Sequence, residues 1–234
     1  MIGVYDYTVI LTYLSLLSGI IGIIACLHGI GHPFIGIFFL LLSGLCDTFD
    51  GRVARRKKDR TELEKNYGIQ IDSLADLVAF GVLPGCIGIA MLRVSERFEE
   101  IPQLVPEQGG KMILYPIILI SIMLAYVLAA MIRLAYFNVT EEERSHEEGG
   151  TRKEYTGLPV TSAALILPTV MVIQFLTKTD LTLLYFIVML VMAFLFIAPF
   201  RIRKPGTRGV WIMVITGAVE FIILMCLWFF IWKH

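Results

Sequence analysis

The sequence is poor in charge. Asp, Glu, Lys and Arg make up 17% of its 234 residues, against about 25% in a soluble domain. The formal net charge is +0, so no basic field draws in nucleic acid. None of the nucleic-acid-binding signatures is present either, and no such partner is expected. Cysteine is scarce: Cys26, Cys46, Cys86 and Cys226 stand in apolar runs, without the paired spacing of a zinc site or a disulfide framework. They read as small buried hydrophobes. There is no internal repeat, no low-complexity tract and no apolar–polar alternation of the kind a membrane β-barrel needs. No basic stretch precedes the first apolar run, so that run is expected to stay as a helix rather than be cleaved as a signal.

What the chain has in excess is hydrophobicity. Apolar residues reach 57% and the mean hydropathy is +0.76, which excludes a water-soluble globule. A bilayer-spanning helix needs about 20 mostly apolar residues, and seven stretches meet or approach that: 8–27, 31–50, 69–92, 112–137, 158–176, 181–200 and 209–232. The expected fold is therefore an all-α integral membrane bundle of about seven transmembrane helices. It is read as a single membrane-embedded domain over residues 1–234, with the last helix (209–232) either a peripheral addition or part of an interface.

The charges that exist are concentrated. Of 40 charged residues, 14 fall between Asp47 and Asp76 and nine more between Glu141 and Glu154. The segment 51–68 carries Arg52, Arg55, Arg56, Lys57, Lys58, Arg60 and Lys65. With seven spans, this segment, 138–157 and 201–208 share one face with the N-terminus, and together they hold 14 of the 20 basic residues. By the positive-inside rule that face is cytoplasmic, in the inner membrane if the cell is bacterial. Arg97, Lys111, Lys178 and Lys233 fall opposite. Segment 94–110 reads as a polar external loop, and 141–154 as an acidic, mobile one. Glu220 lies within the last span. An intramembrane carboxyl is a functional suspect, and the plainer alternative is a side chain hydrogen-bonded within the bundle.

The chemistry is expected in four aspartates. Asp47 and Asp50 stand three apart at the end of the second span, so they share one helix face. Asp72 and Asp76 stand four apart at the start of the third, at the same depth. Four like charges so close require counter-charge, and hard cations such as Mg²⁺ or Mn²⁺ accept oxygen ligands. Two ions in one cluster match the pattern that holds and activates phosphates. Gly51 permits close backbone approach, and the neighbouring arginines suit bidentate phosphate binding. These residues point to a diphosphate bound at the membrane surface. Divalent-cation transport would need polar residues part-way across several spans, and apart from Glu220 the deep positions are apolar.

The pattern Asp47-x2-Asp50-Gly51-x2-Ala54-Arg55…Gly68-x3-Asp72-x3-Asp76 resembles the signature of the CDP-alcohol phosphotransferase family, integral membrane enzymes of phospholipid synthesis. Twelve residues separate Arg55 from Gly68, several more than the family commonly has, and the excess is about one helical turn. Phe80-Gly-Val-Leu-Pro84, Arg133-Leu-Ala-Tyr136-Phe137-Asn138 and Gly157-Leu-Pro159 are similar to segments of the family's serine-accepting branch, the phosphatidylserine synthases, with Tyr136 in place of an arginine. The resemblance implies transfer of a phosphatidyl group from CDP-diacylglycerol to L-serine, giving phosphatidylserine and CMP. Glycerol phosphate, inositol phosphate or another alcohol is the alternative acceptor. It further implies that Asp47, Asp50, Asp72 and Asp76 are ligands of two Mg²⁺ or Mn²⁺ ions, with Asp76 also the general base. Gly51, Ala54, Arg55 and Gly68 would line the CDP site. Thr61 joins them when positions are counted from Arg55; counted back from Gly68, the position is Lys65. Arg133 and Asn138 are the candidates for the serine pocket, with Lys153 a further one, and a homodimer in the lipid bilayer is implied.

Overall fold

The computed structural model describes residues 3–28, 32–95, 98, 114–147, 154–203 and 206–232. Its helices are α1 (Ile10–Leu27), α2 (Pro33–Ala54), α3 (Glu62–Val94), α4 (Leu114–Glu147), α5 (Ala163–Thr177), α6 (Thr182–Ile197) and α7 (Thr207–Trp232). Among the described residues, six stretches are long and apolar enough to cross a membrane, and α6 is a shorter apolar helix. These seven helices correspond one for one to the seven expected spans. Leu14, Leu17 and Ile24 on α1 and Ile212, Ile215 and Ile222 on α7 face outward, a surface suited to hydrocarbon. The core is built from α3, α4, α5 and α6 around Phe80, Tyr126, Leu167, Met171, Tyr185 and Phe186.

Antiparallel α1 and α2 are fastened by hydroxyls in an otherwise apolar interface. Ser15 Oγ donates to the Ser43 carbonyl at 3.3 Å and Ser43 Oγ to the Ser15 carbonyl at 3.0 Å, while Ser18 Oγ donates to the Phe39 carbonyl at 2.9 Å. Such bonds hold membrane helices together where the lipid provides no hydrophobic drive. At the far end, the Arg93 guanidinium of α3 donates to the carbonyls of Cys26 and His28, which close α1.

α3 begins at Glu62, seven residues before the expected boundary at Ile69. Thr61 is its N-cap: the hydroxyl accepts from the Glu64 N–H, and the Glu64 carboxylate accepts from the Thr61 N–H. This capping box supplies the start that hydropathy alone does not mark. Thus Asp72 and Asp76 lie about three and four turns inside α3 rather than in its first turns. Directly after Asp76 the helix widens into a π-helical turn, Leu77–Val82. Pro84 lacks an N–H, so the Phe80 carbonyl loses its helical partner. The buried Tyr126 hydroxyl of α4 replaces it, donating to that carbonyl at 2.8 Å.

Two further expectations are corrected. The acidic segment 141–154 is not a loop throughout: α4 continues to Glu147, and Glu154–Thr156 forms β1. β1 pairs antiparallel with β2 (Arg201–Arg203), Tyr155 opposite Ile202. The sixth span stops at Ile197 because Pro199 holds Ala198 extended, with ψ 135°. Gly157 turns the chain into the ribbon at φ +73°, and its N–H donates to the Phe200 carbonyl at 2.8 Å. The ribbon joins two of the three basic segments directly. Of the cysteines, Cys26 and Cys86 are buried and Cys46 is half-buried, but Cys226 is exposed on the outer side of α7. Most of segment 94–110, with Arg97, and also Lys111, Lys153 and Lys233, lies outside the described residues.

Candidate metal centre and its two clefts

The long reach of α2 and the early start of α3 bring the four aspartates to one place. One carboxylate oxygen from each of Asp47, Asp50 and Asp72 lies within 4.8 Å of the others. Asp47 is within side-chain hydrogen-bonding reach of Asp76, and Asp50 of Asp72. Asp50 and Asp76 are 7% and 8% exposed, so bulk water does little to screen their charges. An all-oxygen donor set of this density fits a hard divalent cation. Asp50 is held on two sides: one oxygen accepts from the Gly51 N–H, and Oδ2 accepts from Thr12 Oγ1 at 3.2 Å.

A polar cleft of about 210 Å³ opens beside Asp50 and Asp72, between α1, α2 and α3. Gly51, Ala54, Arg55 and Gly68 line it. Thr61 does not, because its hydroxyl is spent on the helix cap. Of the two countings the structure brings Lys65 to the cleft. It also brings Arg60 there, a residue the sequence analysis did not single out. Arg60 Nη2 donates to the Glu64 carbonyl at 3.1 Å and lies so near Gly68 that a Cβ there would be 2.7 Å away. A side chain at 68 would push against the guanidinium packed over it, which would have to shift. Arg60 Nε is buried without a hydrogen-bond partner among the described residues.

The N-terminal segment forms the outer wall through Thr8 and Val9. Lys57 pins that segment, with its ammonium 2.7 Å from both Asp6 and Glu64. Tyr13 adds a bond to the Val4 carbonyl at 2.9 Å and another to Tyr67 at 3.0 Å. The Lys57 ammonium, and then the Thr8 hydroxyl, hold the Asp6 carboxyl at about 2, below its ordinary 3.8.

A second cleft, about 380 Å³ and almost wholly apolar, lies between α2, α5 and α7. Asp47, Thr48 and Thr161 are at its polar end, and Leu41, Ala218 and Phe221 are among its apolar walls. The last helix therefore does more than flank the bundle. Phe221 packs on Phe38 of α2 at 5.0 Å between ring centroids. The Glu220 carboxylate accepts from the Thr169 hydroxyl of α5 at 2.6 Å, its other oxygen having no partner among the described residues.

Asn138 reaches the aspartates through Ser73, next to Asp72: its amide donates to Ser73 Oγ at 2.8 Å, and Ser73 Oγ donates back at 3.1 Å. Arg133 is buried one turn deeper in α4, its guanidinium 4.8 Å from the centre of the Phe137 ring. Tyr136 is exposed on the outside of α4.

Clustered carboxylates between a cationic cleft and an apolar one, set among apolar membrane-length helices, make a polar site within an integral membrane bundle. Sequence comparison agrees: the profile of the CDP-alcohol phosphatidyltransferase family matches residues 8–232. The chain belongs to that family and is an integral membrane protein. Among its relatives is the CDP-diacylglycerol–serine O-phosphatidyltransferase of Saccharomyces cerevisiae, 34% identical over 164 residues, which are 67% of this chain and 50% of that protein. The enzyme of the same name from Helicobacter pylori is 27% identical over 147 residues, 62% of this chain and 50% of the relative. The archaetidylserine synthase of Methanothermobacter thermautotrophicus is 30% identical over 156 residues, covering 67% and 53%. The chain spans about half the length of the curated relatives it matches.

Proposed function

We propose that this protein transfers the phosphatidyl group of CDP-diacylglycerol to the hydroxyl of L-serine, giving phosphatidylserine and CMP. The observation that carries the reading is the position of the four aspartates between two unlike clefts. The cationic one suits a cytidine diphosphate, and the apolar one suits the acyl chains. Asp47, Asp50, Asp72 and Asp76 would hold the divalent ions, Mg²⁺ or Mn²⁺, as oxygen ligands; bound there, the ions would neutralise charge on the diphosphate and on the departing CMP. Two ions suit four carboxylates.

An alcohol is a poor nucleophile at neutral pH and needs a base within about 3 Å. Asp76 serves, since it is buried at the inner edge of the cluster. The serine hydroxyl oxygen bonds to the lipid-side phosphorus while its proton passes to Asp76. The bond from that phosphorus to the bridging oxygen breaks, and CMP leaves with the electron pair. Arg55, Arg60 and Lys65 hold the headgroup from the opposite side. Arg133 and Asn138 face the serine carboxylate, Asn138 being set by Ser73. The excess of basic residues in these segments supports a cytoplasmic orientation of this face by the positive-inside rule, and the family resemblance supports a homodimer.

CMP release by purified protein, with CDP-diacylglycerol and Mn²⁺ across a panel of alcohols, tests the assignment. Release that needs both serine and metal is expected. Release only with glycerol 3-phosphate or inositol phosphate would discard the serine pocket, and none with any alcohol would discard the transferase reading.

A further inference from the structure

We propose that Thr12 of α1 is a positioning residue for the metal centre: its hydroxyl sets the orientation of the Asp50 carboxylate. The inference rests on the reading of the aspartates as metal ligands, and it adds a residue from a helix that carries none of them.

The argument starts from the helix pair. Three serine hydroxyls fasten α1 to α2, and each of them donates to a backbone carbonyl. Thr12 is the next inward-facing hydroxyl towards the site, one turn before Ser15, and it is 6% exposed. Its target differs from theirs. Where α2 passes the end of the ladder it presents Asp50, and Thr12 Oγ1 donates to Asp50 Oδ2 at 3.2 Å. The other oxygen of Asp50 is fixed by the Gly51 N–H. Both oxygens thus have a donor that does not move with solvent, and each keeps a lone pair for a cation.

This geometry has a chemical consequence. Asp50 projects from the end of α2 towards both Asp72 and the polar cleft, so rotation about its χ angles would carry an oxygen away from the cluster. A hydroxyl on a helix fastened by three further bonds removes that freedom. Partners of this kind around a metal ligand are typically worth about 10–100-fold in metal affinity or activity. Thr12 also lines the polar cleft, so its methyl group limits how a headgroup approaches Asp50.

The test separates the hydroxyl from the shape. Thr12→Val keeps the volume and the β-branch but removes the donor, Thr12→Ser keeps the donor, and Ser18→Ala removes a rung of the ladder without touching Asp50. Mn²⁺ affinity is read by electron paramagnetic resonance of the free ion, with no substrate present, beside the melting temperature of each metal-free protein. About 10-fold weaker Mn²⁺ binding is expected in Thr12→Val, with near-normal binding in Thr12→Ser and Ser18→Ala. The same order is expected in the Mn²⁺ concentration that half-saturates CMP release. Equal binding by Thr12→Val and the unaltered protein overturns the inference. So does a loss in Ser18→Ala as large as that in Thr12→Val, which would make the effect one of helix packing. Should Thr12→Val fail to fold, Thr12→Ser against Thr12→Ala gives the same contrast. If the unaltered protein itself binds no Mn²⁺, the metal reading beneath the inference falls instead.

Discussion

The two clefts that meet at the aspartates are built by opposite means. The polar one is assembled from helix ends, a turn and the N-terminal segment, and its walls are held by ion pairs and caps: Lys57 with Asp6 and Glu64, Arg60 with the Glu64 carbonyl, Thr61 with Glu64. The apolar one runs between the bodies of α2, α5 and α7 and is shaped by packing alone, with Glu220 and Thr169 as a polar fastening at its side. A charged headgroup meets directional donors that water would otherwise replace. An acyl chain meets a surface with no preference except exclusion of water. On the proposed function, one substrate binding both halves would be fixed sharply at its reacting end and loosely at its tail.

The largest effect is expected where the clefts join. Asp76→Asn removes the base while keeping the size of the side chain, and a general base typically contributes about 10²–10⁴-fold. CMP release should fall by more than about 100-fold, with donor binding retained. Near-normal turnover would mean that the proton leaves by another route, and that the junction only binds.

Crossing two variants sharpens the contrast between the clefts. Arg60→Ala takes a charged donor from the polar side, where such bonds are worth about 1.5–3 kcal/mol, roughly 10–100-fold in affinity. Inhibition by free CDP and KM for the lipid donor should both suffer. Ala218→Phe fills part of the apolar cleft and displaces the equivalent of one or two buried methylenes, at about 0.8 kcal/mol each, or roughly 4–15-fold. It should raise KM for CDP-diacylglycerol and leave inhibition by free CDP unchanged. If Ala218→Phe weakens free CDP as much as Arg60→Ala does, the division of labour between the clefts is wrong.

The same division decides what could be read from the sequence. Every span was legible, because the bilayer demands a length and composition that soluble helices lack. The aspartates were legible too, since i,i+3 and i,i+4 spacing on adjacent helices leaves few other arrangements. Arg60 was not: it is one of seven basic residues in a single segment, and only the tertiary contact with Gly68 sets it apart. Thr12 was hidden for a related reason, as one of several hydroxyls in an apolar helix, with a partner that lies 38 residues away. The early start of α3 did have a signal. Thr61-x-x-Glu64 is a capping box, but it precedes a polar turn of helix, and hydropathy first rises at Ile69. The β1–β2 ribbon left no pattern, because three residues are too few to show an alternation.

The smallest effect is expected at the rim of the polar cleft, and it carries a sign. Asp6 lies before the first span, and Lys57, then Thr8, lower its carboxyl from 3.8 to about 2. A group lowered on folding stabilises the folded form above its unfolded value, and that contribution is lost as pH falls through the folded one. Between about pH 4 and pH 2 the clasp should therefore release. At neutral pH it is intact, but half-exposed pairs of this type are weak. Asp6→Asn should shift KM for the donor by no more than about twofold at pH 7 and leave kcat unchanged. It should also flatten the acid side of the stability profile between pH 4 and pH 2, measured by thermal unfolding in detergent. A loss of kcat as large as that in Asp76→Asn would mean that the N-terminal segment belongs to the reacting centre rather than to the wall of its cleft.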